Sequence, residues 1–282
     1  MSYPTSVLVP EIRHRSAWTD VDAVGPLESE EVRFLIVHHT ASSTQHEPED
    51  VPGLLRGIRS FHVEGRGWND IAYNFLIDRY GVVWEGRAGS LDGPVAGDAT
   101  GGNQGFTQLV CLIGDFTAEP PSEPAQQSLI ATLAWLADRY EIDVQSGMTI
   151  SFVSRGSNRW PEGTQVTTAP IAGHRDMSLT SCPGDAFYPM LAEVITPGVN
   201  QLSTPTTSTT VAPTTSSQVS ATSTTSTSTS SKSTPSAIPT TTALASGPAE
   251  TDPPLIGLSV AAVAGGLLAG LIAWRMRRIG RR

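Results

Sequence analysis

Six histidines and two cysteines carry most of the chemistry that this 282-residue chain could perform. His38 ends an apolar, β-branched run at 32–38 (VRFLIVH), and His39 follows it directly. His174 and Cys182 share the segment 172–185 (AGHRDMSLTSCPGD), which reads as a polar loop punctuated by Gly and Pro. Histidine and cysteine side chains are candidate metal ligands. Spacing does not decide the matter. A histidine pair at a strand end is more often hydrogen-bonded structure than a metal site, and a Cys eight residues after a His fits none of the short zinc-finger spacings. Two cysteines also rule out a disulfide scaffold and a Cys-only zinc cluster.

Strands and helices must bring these residues together. The run 32–38 reads as a buried strand, and α/β folds tend to place their sites at the C-terminal ends of such strands. Leu54, Leu55, Ile58, Phe61 and His62 follow helical spacing just after Pro52, an early helix position that proline favours. On that face His62 reads as a structural histidine. The segments 73–78 and 82–85 flank Arg79-Tyr80-Gly81 as a hairpin, and Tyr73, opening an apolar strand, reads as core. A strand at 109–114 follows. A helix from Ser122 or Glu123 through Tyr140 would bury Leu129, Leu133 and Leu136. A strand at 149–153 and a last helix after Pro183, carrying Phe187, Met190, Leu191 and Val194, complete the order. The sum is an α/β head, a mixed central β-sheet flanked by helices.

The rest of the chain is of another kind. Residues 1–202 hold 12 Arg, no Lys and 25 acids, whereas 203–282 hold six basic residues and two acids. A head at −13 is a poor partner for nucleic acid, whose phosphates demand basic contacts, so no nucleic-acid role is expected. Within 203–242, 28 of 40 residues are Ser or Thr, so 203–250 reads as a disordered linker of the Ser/Thr/Pro-rich stalk type. The run 255–274 is 20 residues without a charge, about 30 Å as a helix, and reads as one transmembrane span. The basic tail 275–282 (RMRRIGRR) then belongs on the cytoplasmic side, with the head outside the cell membrane. Gly266 and Gly270 could pack two spans closely, but small residues are common in such spans and a monomer is expected. The first residues show no basic stretch followed by an apolar one, the pattern of an export signal, and the start is expected to lie upstream or to be misassigned.

Four blocks carry a resemblance. They are RHRSAW (13–18), FLIVHHTAS (34–42), FHVEGRGWNDIAYNFLIDRYGVVWEGR (61–87), and LVCLIGDF (109–116) followed by AGHRDMSLTSCPGDAFY (172–188). In combination they resemble the type 2 N-acetylmuramoyl-L-alanine amidases, a family that includes the peptidoglycan recognition proteins. The resemblance covers roughly 11–195 and implies an amidase-like zinc domain at 11–198. It implies Zn2+ held by His38, His174 and Cys182, three ligands that leave the open position usual in a catalytic zinc site. It places Tyr73 and Thr180 as catalytic donors to the charge that develops on the cleaved amide. His39, Trp68 and Asn103 would contact substrate. The implied partner is peptidoglycan, cut between N-acetylmuramoyl and the L-alanine of the muropeptide stem; which stem it prefers is not implied. Between Gly97 and Asn103 the chain carries Asp98 where many recognition-type relatives have His. Two other readings stand beside the amidase. A binding-only recognition module commonly lacks the cysteine that is present here, and a surface adhesin would use the stalk and anchor. For Cys182 the competing role is a disulfide with Cys111, which sits in a strand pattern as a small core residue.

Overall fold

The computed structural model describes residues 7–103 and 106–203. Apart from Ser203, the expected linker at 203–250, the span at 255–274 and the tail at 275–282 lie outside the described residues. Among the described residues, no helix is long and apolar enough to cross a membrane.

In chain order the elements are β1 (Ile12–Arg13), β2 (Phe34–His39), α1 (Val51–Ser60), β3 (Phe75–Ile77), β4 (Val83–Glu85), β5 (Thr107–Leu112), α2 (Glu123–Arg139), β6 (Ile150–Val153), β7 (Gln165–Thr168), β8 (Ile171–Gly173), α3 (His174–Met177) and α4 (Thr196–Ser203). Six strands form the central sheet in the order β1-β4-β3-β5-β2-β8. Every pairing is parallel except β3 with β4, the expected hairpin. The expected mixed sheet flanked by helices is therefore the observed architecture.

Strand alternation divides the core in two. Leu35 and Val37 of β2, Val110 and Leu112 of β5, and Phe75 and Ile77 of β3 pack on one face beneath Leu129, Leu133 and Leu136 of α2. Phe34 and Ile36 of β2, Leu109 and Cys111 of β5, and Leu76 of β3 pack on the other, against Val51 and Leu55 of α1. Strands covered on both faces read as continuous apolar runs, which is why β2 and β5 are legible in the sequence. Helix α2 begins as expected, with the Ser122 hydroxyl accepting from the Ala125 N–H at 3.4 Å.

Three details depart from expectation. Strand β6 pairs only with β7, making a separate hairpin rather than joining the central sheet. The segment read as a polar loop punctuated by Gly and Pro supplies the end of β8 and all of α3. The last helix begins later, as a π turn at Leu191–Ile195 that passes into α4, while Phe187 is buried before it. Pro197 has no N–H to donate, and the hydrogen-bond ladder changes register beside it.

Candidate metal centre

Alternation along β2 turns His38 toward the α1 face with Phe34 and Ile36, and sends His39 the other way. Strand β8 lies parallel beside β2, with Val37 opposite Gly173. The next residue, His174, therefore emerges next to His38, the two rings 4.5 Å apart between centroids. Gly173 is required here, because a Cβ would fall 2.9 Å from Cδ2 of Tyr188 and 3.0 Å from Cδ of Pro183. Asp176 fixes the start of α3 by accepting the Gly173 N–H at 2.8 Å and the Tyr188 hydroxyl at 2.6 Å. The chain then returns Cys182 to the pair. Its sulfur lies 3.7 Å from Nδ1 of His38 and accepts the His39 N–H at 3.3 Å.

The ligating atoms of His38, His174 and Cys182 all lie within 4.8 Å of one another, and all three residues are buried. Burial holds His174 down at about 3 and His38 well below the ordinary imidazole value, and neighbouring imidazoles add to both effects. Both rings are thus neutral, the form that ligates metal. Nε2 of His38 is buried without a hydrogen-bond partner. An orphaned imidazole nitrogen beside a second neutral imidazole and a thiol is a donor set that fits zinc. Both cysteines are free, and Cys111 is buried in β5, so the disulfide alternative is not what the fold adopts.

A cleft of about 260 Å³ opens on this cluster, and Tyr73, Thr180, His39, Trp68, His174 and Cys182 all line it. The Tyr73 ring lies 5.2 Å from that of His38 and 5.4 Å from that of His62. Thr180 accepts the Cys182 N–H at 3.2 Å through Oγ1, which leaves its hydroxyl proton for the cleft. His39 accepts the Phe116 N–H at 3.3 Å through Nδ1, and burial lowers it to about 4 although Asp115 opposes the shift.

Asn103 lies apart from the cleft. It is fully buried outside the cleft, donating to Oγ of Ser154 at 3.4 Å and accepting the Arg155 N–H at 2.9 Å. Its amide ties a Gly-rich segment to the β6–β7 hairpin, and Asn103 is not among the residues that line the cleft.

Two features escaped the sequence. His62 does accept a structural bond, from the Ala72 N–H at 3.1 Å, yet it also lines the cleft. It does so because α1 runs into a π turn at Phe61–Gly65, a distortion often found at functional sites. Across Trp68 a second cleft of about 310 Å³ adjoins the first, and Arg87 and Asp98 line it as a 2.7 Å ion pair. A single arginine carries no pattern that could have announced it.

Comparison with known proteins gives these residues a context. Residues 28–185 match the family described as N-acetylmuramoyl-L-alanine amidase. Peptidoglycan recognition protein 3 of mouse (Mus musculus) is 28% identical over 182 residues, covering 64% of this chain and 44% of its own. An N-acetylmuramoyl-L-alanine amidase of pig (Sus scrofa) is 31% identical over 160 residues, covering 56% of this chain and 22% of its own. The chain thus spans less than half the length of either relative. Among solved structures, the Drosophila peptidoglycan recognition protein SD shares the fold with a TM-score of 0.51 at 21% identity, over 64% of this chain and 92% of that one.

Proposed function

Because the chain belongs to the N-acetylmuramoyl-L-alanine amidase family, we propose that it is a zinc-dependent hydrolase of peptidoglycan. The bond cut is the amide between the lactyl group of N-acetylmuramic acid and L-alanine. Water adds across it, leaving a lactyl carboxylate on the glycan and a free amine on the stem peptide. The observation that carries this reading is the buried set of His38, His174 and Cys182, with an unpartnered His38 nitrogen, beside a cleft that His174 and Cys182 line.

Zinc bound there would supply Lewis acidity to the scissile carbonyl and an attacking water active near neutral pH. The chain's own groups do the rest. His38 and His174 offer neutral nitrogens, so neither imidazole has to shed a proton on binding metal. The Tyr73 phenol and Thr180 hydroxyl are donors for charge developing on the carbonyl oxygen. Phe61 and Trp68 give the cleft apolar walls that limit water around the reacting amide.

The recognition-module reading would use the same cleft without the chemistry, and it has no need of Cys182. Incubating the full chain with purified cell wall, with and without a chelator, separates the two. Release of free stem peptides that stops on chelation is the expected result. Binding without release would leave a recognition module.

We also propose that the head works at the cell surface, attached through 255–274 with 275–282 in the cytoplasm, a reading that rests on sequence alone. Protease added to intact, wall-stripped cells should then remove the head and leave a membrane-bound C-terminal stub. A head protected until the membrane is broken would invert this topology and separate the amidase from its substrate.

A further inference from the structure

We propose that the tip of the β6–β7 hairpin is the positioning element of the loop that carries two of the three metal ligands, and that Asn158 is its key residue. The loop runs from His174 to Cys182. At its base it closes on itself: the Arg175 N–H donates to the Cys182 carbonyl at 3.0 Å, and the Arg175 side chain donates to the carbonyls of Cys182 and Ser181. Its outer edge has no secondary structure to lean on between Met177 and Cys182, and Leu179 there is 64% exposed.

Four consecutive residues of the hairpin tip brace α3 and that edge. Ser157 donates through Oγ to the Met177 carbonyl at 2.7 Å, and Asn158 accepts the Leu179 N–H through Oδ1 at 2.7 Å. Arg159 donates to the Arg175 carbonyl at 2.9 Å, and the Trp160 indole to the Asp176 carbonyl at 2.7 Å. All four are side chain to main chain, within ordinary hydrogen-bond distance, and each lands on a different residue of the loop.

The tip can bear this role because it is itself held. An isolated two-stranded hairpin is marginal in water. Here Phe152 of β6 stacks on Phe34 of β2, centroids 5.3 Å apart and planes at 20°. Arg155 pairs with both carboxylate oxygens of Glu30, and buried Asn103 grips Ser154 and Arg155. Strand β2 therefore supports the centre twice: it carries His38 directly, and through Phe34 it carries the strut that reaches the loop.

The Asn158 bond matters most because of where it falls. Leu179 immediately precedes Thr180, whose hydroxyl oxygen holds the Cys182 N–H. Fixing the Leu179 amide sets the path of the chain into both the candidate donor and the thiol ligand. Asn158 belongs neither to the candidate ligand set nor to the cleft lining, so it is a positioning residue.

This inference rests on the zinc amidase reading, and its test keeps the two apart by measuring metal first. In the full chain, Asn158→Ala should weaken zinc affinity about tenfold, the lower end for lost supporting contacts around a metal site. The melting temperature of the metal-free chain should stay near that of the wild type, since the lost bond lies on an exposed loop. Asn158→Asp keeps an acceptor at the same reach and should restore zinc affinity, and Ser157→Ala should show a smaller loss. With wall fragments as substrate, Asn158→Ala should lower kcat more than it raises KM. Unchanged zinc affinity in Asn158→Ala would overturn the proposal. So would a loss that Asn158→Asp does not rescue, or one matched by a fall in metal-free melting temperature. Weakened zinc binding in a chain that hydrolyses nothing, wild type included, would leave the strut standing and remove the amidase.

Discussion

Replacing Cys182 with serine is expected to remove stoichiometric zinc and all hydrolysis, and His174→Ala to do the same. The thiol is the one donor of the three that can bind as an anion, and the metal itself favours its thiolate form. A serine hydroxyl ionises far too weakly to replace it, and its shorter bond to Cβ withdraws the donor from a site where the sulfur stands 3.7 Å from His38 Nδ1. Two neutral imidazoles would remain, fewer ligands than a catalytic zinc site keeps. Elemental analysis of the purified variants, beside stem-peptide release from cell wall, measures both losses. Metal-free wild type and Cys182→Ser should melt at similar temperatures, because the bonds that hold the loop from the hairpin and from Arg175 use main-chain groups that serine preserves. A Cys182→Ser variant that still holds one zinc per chain would remove this residue from the ligand set. A wild type that is active without metal would sink the mechanism as a whole.

Parity along a single strand accounts for how much of this centre could be read in advance. Once 32–38 is taken as a strand, Phe34, Ile36 and His38 share one face and His39 takes the other; that His38 is the one to hold metal is what the resemblance implies. The strand was visible because β2 is covered on both sides and its apolar run is unbroken. The arrival of His174 was not visible in the same way. It depends on β8, three small or medium residues whose place beside β2 is set by long-range pairing and leaves no local pattern. Resemblance supplied what periodicity could not. Asn103, which the resemblance places against substrate, is a different case. Its partners lie 51 and 52 residues further along the chain, and only the fold reveals that they hold it outside the cleft. The hairpin tip was unreadable for the same reason, since Ser157, Asn158, Arg159 and Trp160 form no motif and their bonds all go to a distant main chain.

Tyr73→Phe should keep zinc and the fold while lowering the rate by about 10²–10³, the usual loss when one donor to a developing oxyanion is removed. The ring would stay, packed between His38 and His62 in a position where the tyrosine is only 7% exposed. Only the hydroxyl would go. That isolates the question, because a tyrosine serving as core loses little or nothing when it becomes phenylalanine in an apolar setting. The phenol also favours the ionised form of the Cys111 thiol, against burial and Cys182, which together push that thiol well above its ordinary value. Losing that influence would leave Cys111 neutral, as a buried core thiol should be, so it gives no route to a rate effect. Thr180→Val removes the second hydroxyl that lines the cleft, and also the acceptor for the Cys182 N–H. If both hydroxyls serve one oxygen, the double variant should lose less than the product of the two single losses, as groups that act as a unit do. Rates on wall fragments, with zinc content measured on the same preparations, decide it. Full rate in Tyr73→Phe at full zinc occupancy would return Tyr73 to the core and leave Thr180 as the remaining donor.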